Sequence, residues 1–253
     1  MRTVSWFSCG AASAVATKLA LAEGPVTIAY CEVVEEHPDN KRFLADCEEW
    51  FGQEIKILGN DKYNRSIYEV FRKTKYLKGP AGARCTGELK KKVRKDFEEL
   101  TDRQVFGYTI EEQNRVDRFI DANNDVDIWP ILIERGLTKE DCLGLLSNAG
   151  INLPEMYKLG YRNNNCIGCV KGEAGYWNKI RIDFPEVFER MAQTEELLGR
   201  TVCKVYRNGK LERPTLRELP PDAGNYPKEH EIECGIFCEM AEIEIRGKAN
   251  GTY

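Results

Sequence analysis

Apolar residues near the N-terminus fall into short blocks, each followed by a stretch with helical spacing. Thr3-Val4-Ser5-Trp6-Phe7 reads as a short buried strand, and residues 8–13 as a glycine-containing turn. Ala-Val-Ala-Thr-Lys-Leu-Ala-Leu-Ala over 14–22 then predicts a helix with a small-residue face. Residues 26–30 predict a second strand. Asp39 is expected to cap a helix running to Phe51, with Phe43, Leu44, Cys47 and Trp50 on one face. Further on, the pattern predicts strands at 54–58 and 104–108 and a fifth strand or strand end at 128–133. Helices are expected at 66–72, 86–100 and 111–121, and at 139–149 behind the cap Thr138 and before the stop Gly150.

Strands separated by helices of this length imply βαβ units: an α/β fold, with a mainly parallel twisted sheet and helices on both faces. The style changes after Pro185. An amphipathic helix is expected at 186–198, then a hairpin at 202–216 turned by Asn208-Gly209, then an exposed loop at 219–231 leading to Cys234. The expected organisation is a nucleotide-binding α/β domain over 1–184. Residues 185–253 form a C-terminal helix, hairpin and cysteine-containing tail packed on it, not an independent domain.

A charged fraction of 31%, split between 37 basic and 41 acidic residues, leaves a net charge of −4, which gives no bulk attraction for a nucleic acid. No apolar run approaches the roughly 18 residues of a membrane span, and the residues before the first strand are too few for a signal peptide. The chain is therefore expected to be cytoplasmic, with no membrane partner. The run Lys90–Lys95 and the acidic stretch 32–36 are expected to be solvated, and His37 and His230 to lie at the surface.

The turn Ser8-Cys9-Gly10-Ala11-Ala12-Ser13 carries the first chemical signal. A small-residue turn between a strand and a helix offers backbone amides and a helix N-terminus to a phosphate, and Ser8 and Ser13 add hydroxyls. It is neither a GxxxxGK[ST] nor a GxGxxG loop. The ten cysteines are the second. Cys31, Cys47, Cys142 and Cys203 sit in apolar or amphipathic patterns and are expected to be ordinary thiols. Cys85, Cys166, Cys169, Cys234 and Cys238 sit in loop-like contexts, where close spacing in a reducing compartment argues metal or redox chemistry. Two residues between Cys166 and Cys169 let two thiolates face one metal, and Gly168 allows the turn. Four thiolates suit zinc or an iron–sulfur cluster, and residue type does not separate them.

Phe7-Ser8-Cys9-Gly10-Ala11-Ala12-Ser13-Ala14-Val15 resembles the pyrophosphate loop of the adenine-nucleotide alpha-hydrolase superfamily, most closely the phosphoadenosine- and adenosine-phosphosulfate reductases. Ala12 stands where ATP pyrophosphatases of that superfamily carry Asp. Arg84-Cys85-Thr86-Gly87-Glu88-Leu89-Lys90 resembles the reductases' cysteine segment with its following lysine. Phe106-Gly107-Tyr108 through Glu112 and Arg115 resembles their segment for substrate phosphate or sulfate. Trp129-Pro130-Ile131-Leu132 and the stretch from Leu153 to Tyr161 match two further elements. Cys166-Ile167-Gly168-Cys169 falls where cluster-bearing members carry CxxC, and Glu233-Cys234-Gly235-Ile236-Phe237 is similar to their C-terminal motif. The matches cover nearly the whole chain in the expected order. Departures are Thr109 in place of an arginine, a single Cys85 where members have two adjacent cysteines, and Phe237 for the final histidine.

The resemblance implies a thiol-dependent reductase of an adenylated sulfate, with Cys234 as nucleophile. The nucleotide site it implies comprises residues 8–13, Lys90, Gly107, Arg115 and Arg162, with Arg118 a further candidate for the absent arginine. It favours a [4Fe–4S] cluster over zinc; the expected ligands are Cys85, Cys166, Cys169 and Cys238, with Cys234 the alternative to Cys238 as the fourth. Cations such as Arg84, Lys90, Arg162, Lys228 and His230 are expected to lower the Cys234 pKa. The implied partners are an adenine nucleotide and a small thiol or thioredoxin-like reductant; the oligomeric state is left open, a homodimer included. The alternative is an ATP-dependent sulfur transferase or pyrophosphatase acting on RNA or DNA, or a non-catalytic nucleotide-binding relative.

Overall fold

Alternation within the first strand sets the architecture. In β1 (Thr3–Phe7), Val4 and Trp6 face one apolar core while Phe7 faces another, so the strand is covered on both sides. The computed structural model describes residues 1–79, 82–123, 125–207, 209–229 and 232. In chain order its elements are β1, α1 (Ala11–Glu23), β2 (Val26–Cys31), α2 (Asn40–Phe51), β3 (Lys56–Leu58), α3 (Ile67–Thr74), β4 (Lys78–Gly79) and β5 (Gly82–Ala83). There follow α4 (Arg84–Thr86), which a π-turn joins to α5 (Lys92–Phe97), then β6 (Arg103–Val105), α6 (Gln113–Ala122), β7 (Asp127–Trp129), α7 (Ile131–Glu134), α8 (Lys139–Asn148) and α9 (Glu155–Lys158). The chain continues with α10 (Ala174–Asp183), α11 (Pro185–Leu198) and the strands β8 (Val205–Arg207) and β9 (Lys210–Glu212).

The central sheet has five parallel strands in the order β3-β2-β1-β6-β7. From β1 the chain first builds outward through β2 and β3, then returns to add β6 and β7 on the other side. The order therefore reverses between β1 and β6, and their carboxyl ends flank the crevice where open α/β sheets bind ligands. Helices α1, α2 and α8 contribute Val15, Phe43 and Leu146 to the core on one face; α5 and α6 contribute Val93, Val116 and Phe119 to the core on the other.

A third core lies beside the sheet and joins α3, α10 and α11 around the fully buried Phe71, Trp177 and Met191. It runs from Val33 to Leu219, so no division of the core falls at residue 185. Buried Glu195 of α11 accepts from the amides of Val202 and Leu216, both at 2.6 Å, which ties the return of the chain to that core. No helix among the described residues is long and apolar enough to cross a membrane.

Most predicted elements are present with ends shifted by a few residues. The predicted strand at 128–133 is instead β7 followed by the short α7, because Pro130 cannot donate to a strand ladder but is tolerated at a helix start. The helix α10 was not anticipated. The acidic stretch is a correction, since Glu36 is buried at 7% exposure, and so is the basic run, in which Arg94 is buried at 2%.

Arg2 and Asp102 pin the amino ends of β1 and β6 together. The Asp102 carboxylate, 2% exposed, accepts from Arg2 at 2.8 and 2.5 Å and from the Glu99 amide at 2.8 Å. The Arg2 hydrogen bond, opposed by burial, holds the Asp102 carboxyl below its usual range. Its contribution to stability is therefore full above the unfolded value, about 3.9, and is lost as pH falls through the lower folded value. Asp102→Asn should cost about 1–3 kcal/mol at neutral pH, a difference that shrinks below about pH 4. Thermal melts of both proteins across pH check this, and a gap that widens in acid would contradict it.

Candidate functional site

The loop after β1 closes on itself through one hydroxyl. Ser13 Oγ accepts from the Ser8 amide at 3.1 Å and from Ser8 Oγ at 3.0 Å, and donates to the Gly10 carbonyl at 2.9 Å. Cys9 takes a left-handed conformation at φ 54°, which turns the strand sharply into α1. Gly10 precedes the helix without a side-chain cap, and no acidic residue lies in its first turn. The helix start thus presents amides and a positive dipole end undiminished by a local carboxylate. The Ala11 amide meets the Tyr157 hydroxyl at 3.3 Å.

Close approach from β6 fixes the other wall. A Cβ on Gly107 would lie 2.4 Å from the Ser13 nitrogen and 2.7 Å from the Ala12 carbonyl carbon, both backbone atoms. Only glycine lets the chain leaving β6 touch the first turn of α1. A cavity of about 440 Å³ opens between these walls. Its lining includes Ser8, Gly10, Ala12 and Ser13 from the loop, Cys31 from the end of β2, and Phe106 to Thr109 after β6. Trp6, Phe7, Lys90, Glu111, Glu112, Arg115, Lys139, Glu140, Tyr157, the triplet Asn163 to Asn165, and Ile232 complete it.

Behind the loop lies a buried polar network. Lys90 reaches Glu36 at 3.3 Å, with the two side chains 12% and 3% exposed. Glu36 also accepts from Tyr30 Oη at 2.5 Å and Asn40 Nδ2 at 3.0 Å. Asn164 then donates to Asn40 Oδ1 and to the Cys9 carbonyl, both at 2.7 Å. Burial, followed by the charge of Glu36, pushes the Tyr30 hydroxyl far above its usual range and keeps it a donor. Arg115 pairs with Glu112 and lies 4.9 Å from the Tyr108 ring centre.

Of the residues predicted for the nucleotide site, Ser8, Gly10, Ala12, Ser13, Lys90, Gly107 and Arg115 line one cavity. Cys9 and Ala11 contribute backbone to the loop while their side chains sit in the core, at 0% and 1% exposure. Burial pushes the Cys9 thiol well above its usual range. Arg162 does not line the cavity; it donates to the carbonyls of Tyr226, Pro227 and Glu229 and holds that strap in place. Arg118 is exposed and donates to the Asn114 carbonyl of its own helix, and Arg84 pairs with Glu88 at 2.7 Å. Sequence reasoning missed Cys31, Lys139 and the asparagine triplet. The triplet beside Cys166 was visible as a motif, and Cys31 gave no signal beyond strand periodicity.

Cys166 and Cys169 are buried in the third core, and Cys85 packs against it. Gly168 between them has φ 75°, and the Tyr176 hydroxyl accepts from the amides of Gly168 and Cys169 at 3.0 and 2.9 Å. The same hydroxyl donates to the Cys166 carbonyl at 3.3 Å, so one phenol shapes the whole turn. Cys234, Cys238 and His230 lie outside the described residues. Among the described residues no group of three or more His, Cys, Asp or Glu side chains is arranged to hold a metal ion. The three cysteines thus share a core without completing a ligand set. Burial pushes the thiols of Cys31, Cys142 and Cys203 up to about 12, which makes them poor nucleophiles at neutral pH.

The strap ends at the cavity. Glu229 accepts from the amides of Gly175 and Tyr176 at the start of α10, at 2.5 and 2.9 Å. The Ile232 carbonyl accepts from Asn163 and Asn165 at 3.3 and 2.9 Å. Ile232, two positions before Cys234, is part of the cavity lining.

No protein-family model matches this chain, and searches among curated proteins and solved structures give no match.

Gly107→Ala should cost about 3 kcal/mol, the upper end for overpacking, and should displace the loop. Gly144→Ala, inside α8 with nothing within 4 Å of the added carbon, should be neutral or slightly stabilising. Thermal melts, with loop amide exchange followed by mass spectrometry, check this. An unperturbed loop in Gly107→Ala would refute the packing argument.

Proposed function

We propose that this chain is a thiol-dependent reductase of an adenylated sulfate, a member of the phosphosulfate reductase branch that its motifs resemble. The observation that carries the reading is the single cavity joining the α1 loop to Ile232, at the sheet crevice. The α1 loop and Ile232, which stands two positions before Cys234 in sequence, thereby line one cavity.

In this reading the loop amides and the Ser8 and Ser13 hydroxyls hold the 5′-phosphate. Lys90, Arg115 and Lys139 set the local potential, and the aromatic Phe106 and Tyr108 offer ring surface for an adenine. Cys234, two positions after Ile232 in sequence, takes the nucleophile's role that the resemblance assigns to it. The Cys234 thiolate attacks the substrate sulfur. A sulfur–sulfur bond forms, and the sulfur–oxygen bond to phosphate breaks, its electron pair leaving on the nucleoside phosphate. A small dithiol or thioredoxin-like reductant then attacks the Cys234 sulfur and releases sulfite. The dithiol loses two electrons, becoming a disulfide as Cys234 returns to a thiol.

Cys85, Cys166 and Cys169, with Cys238, are the residues that would hold a [4Fe–4S] cluster, with zinc the alternative metal. Such a group would supply a fixed anchor for the C-terminal segment. The buried turn shaped by Tyr176 and the shared core of the three cysteines support this assignment.

Anaerobic purification with iron, sulfide and zinc assays, followed by sulfite release from adenylated sulfates with a thiol reductant, tests the reading. Cys234→Ser should lower sulfite release by at least about 1,000-fold while nucleotide affinity stays within about twofold. Undiminished release removes Cys234 from the mechanism. Metal without any sulfite release favours the ATP-dependent sulfur-transfer alternative.

A further inference from the structure

Two helix N-termini face the cavity, and they are furnished differently. The start of α1 carries no acidic residue in its first turn, and its Ala11 amide meets the neutral Tyr157 hydroxyl. The start of α8 brings Lys139 and Glu140 to the lining, but the protein's own carboxylates already serve this end. Glu111 Oε1 accepts from the Lys139 amide at 3.2 Å. Asp141 accepts from the Thr138 amide at 2.9 Å and the Thr138 hydroxyl at 2.6 Å, closing a capping box. Although burial alone would raise it, Glu111 lies below the usual carboxylate range because hydrogen bonds from Thr109 and the Lys139 amide outweigh that effect. It is therefore charged at neutral pH.

Of the three cations in the lining, two pair with carboxylates and the third with a neutral amide. Lys90, Arg115 and Lys139 share the cavity with Glu111, Glu112 and Glu140. Lys90 is engaged by Glu36 at 3.3 Å, Arg115 by Glu112, and Lys139 donates to Asn163 Oδ1 at 2.8 Å. Among the described residues the lining is thus formally neutral, and the α1 loop is the end built to accept negative charge.

Resting on the nucleotide reading above, we infer that the cavity takes an adenine nucleotide with one anionic arm and discriminates against a second phosphate on the ribose. The substrate is then adenosine 5′-phosphosulfate and not its 3′-phosphorylated form. A further phosphate monoester adds about −1.5 to −2 charge. Placed away from the α1 loop, it meets carboxylates in a cleft where charges interact more strongly than in water. Binding such a group without a counter-charge forfeits its hydration with nothing in return.

Titration calorimetry at low ionic strength with adenosine 5′-monophosphate and adenosine 3′,5′-bisphosphate tests the inference on the full-length protein. The bisphosphate should bind equally well or up to about tenfold more weakly. Glu111→Gln keeps an oxygen at the α8 start but removes its charge. It should raise bisphosphate affinity at least about threefold more than monophosphate affinity. Bisphosphate binding about tenfold tighter than monophosphate overturns the inference and leaves the nucleotide reading standing. A Glu111→Gln variant that keeps the ratio of the two affinities also overturns it. If neither nucleotide binds, the inference falls together with the reading of an adenine-nucleotide site.

Discussion

Contact between Gly107 and the first turn of α1 is the constraint on which the site depends. Backbone meets backbone there, with no room for a Cβ. Strand β6 is therefore only three residues long, and the chain leaves the sheet early to press against Ser13. That contact closes one side of the crevice where the strand order reverses. It also holds α1 with its amino end facing the space between β1 and β6. The flanking strands supply the registration: β1 pairs with both β2 and β6, and Arg2 with Asp102 locks their starting ends.

Polar groups behind the loop set geometry more than they add stability. A buried lysine–glutamate pair gains Coulomb energy and loses hydration in comparable amounts, so Lys90 and Glu36 contribute little net free energy. Their value lies in direction. Glu36 takes three donors, from Tyr30, Asn40 and Lys90, and each fixes a different element. Asn40 passes the constraint to Asn164, which grips the Cys9 carbonyl and so sustains a left-handed residue that would otherwise relax. The loop before α1 is thereby bolted to the segment entering the Cys166 turn.

Much of this was legible in the sequence where one physical rule dominated. Strands β1 and β2 are predominantly apolar and largely buried, Thr138 caps its helix as expected, and the hairpin expected over 202–216 has its two strands. The loop residues read as phosphate-binding do line the cavity. Legibility failed where tertiary context overrode the local pattern. Helix α10 buries Ala174, Tyr176, Trp177, Asn178 and Ile180, which surround its axis, so no polar face marked it as a helix. Glu36 and Arg94 sit in charge runs that normally face water, and only the fold shows that each is buried beside a partly buried partner of opposite charge. Arg162 has the right charge for an anion site, but the strap from Tyr226 to Glu229 consumes its donors. Charge along a sequence gives no account of which carbonyls will compete for it.

Residues 162–166 join the two halves of the molecule. Arg162 holds the strap, Asn163 and Asn165 hold the Ile232 carbonyl, Asn164 holds the loop before α1, and Cys166 opens the turn shaped by Tyr176. Five consecutive positions thus touch the α1 loop, the third core and Ile232. Asparagine suits this role because it donates and accepts without bringing charge into a lining that is already balanced. An arginine or lysine at 163 or 165 would add a cation facing the cavity, and an aspartate would add an unmatched anion. A neutral joint here lets the charge pattern of the cavity be decided by the α1 loop, by Glu111 and Glu112 just before α6 and by Glu140 of α8, independently of how the strap is held.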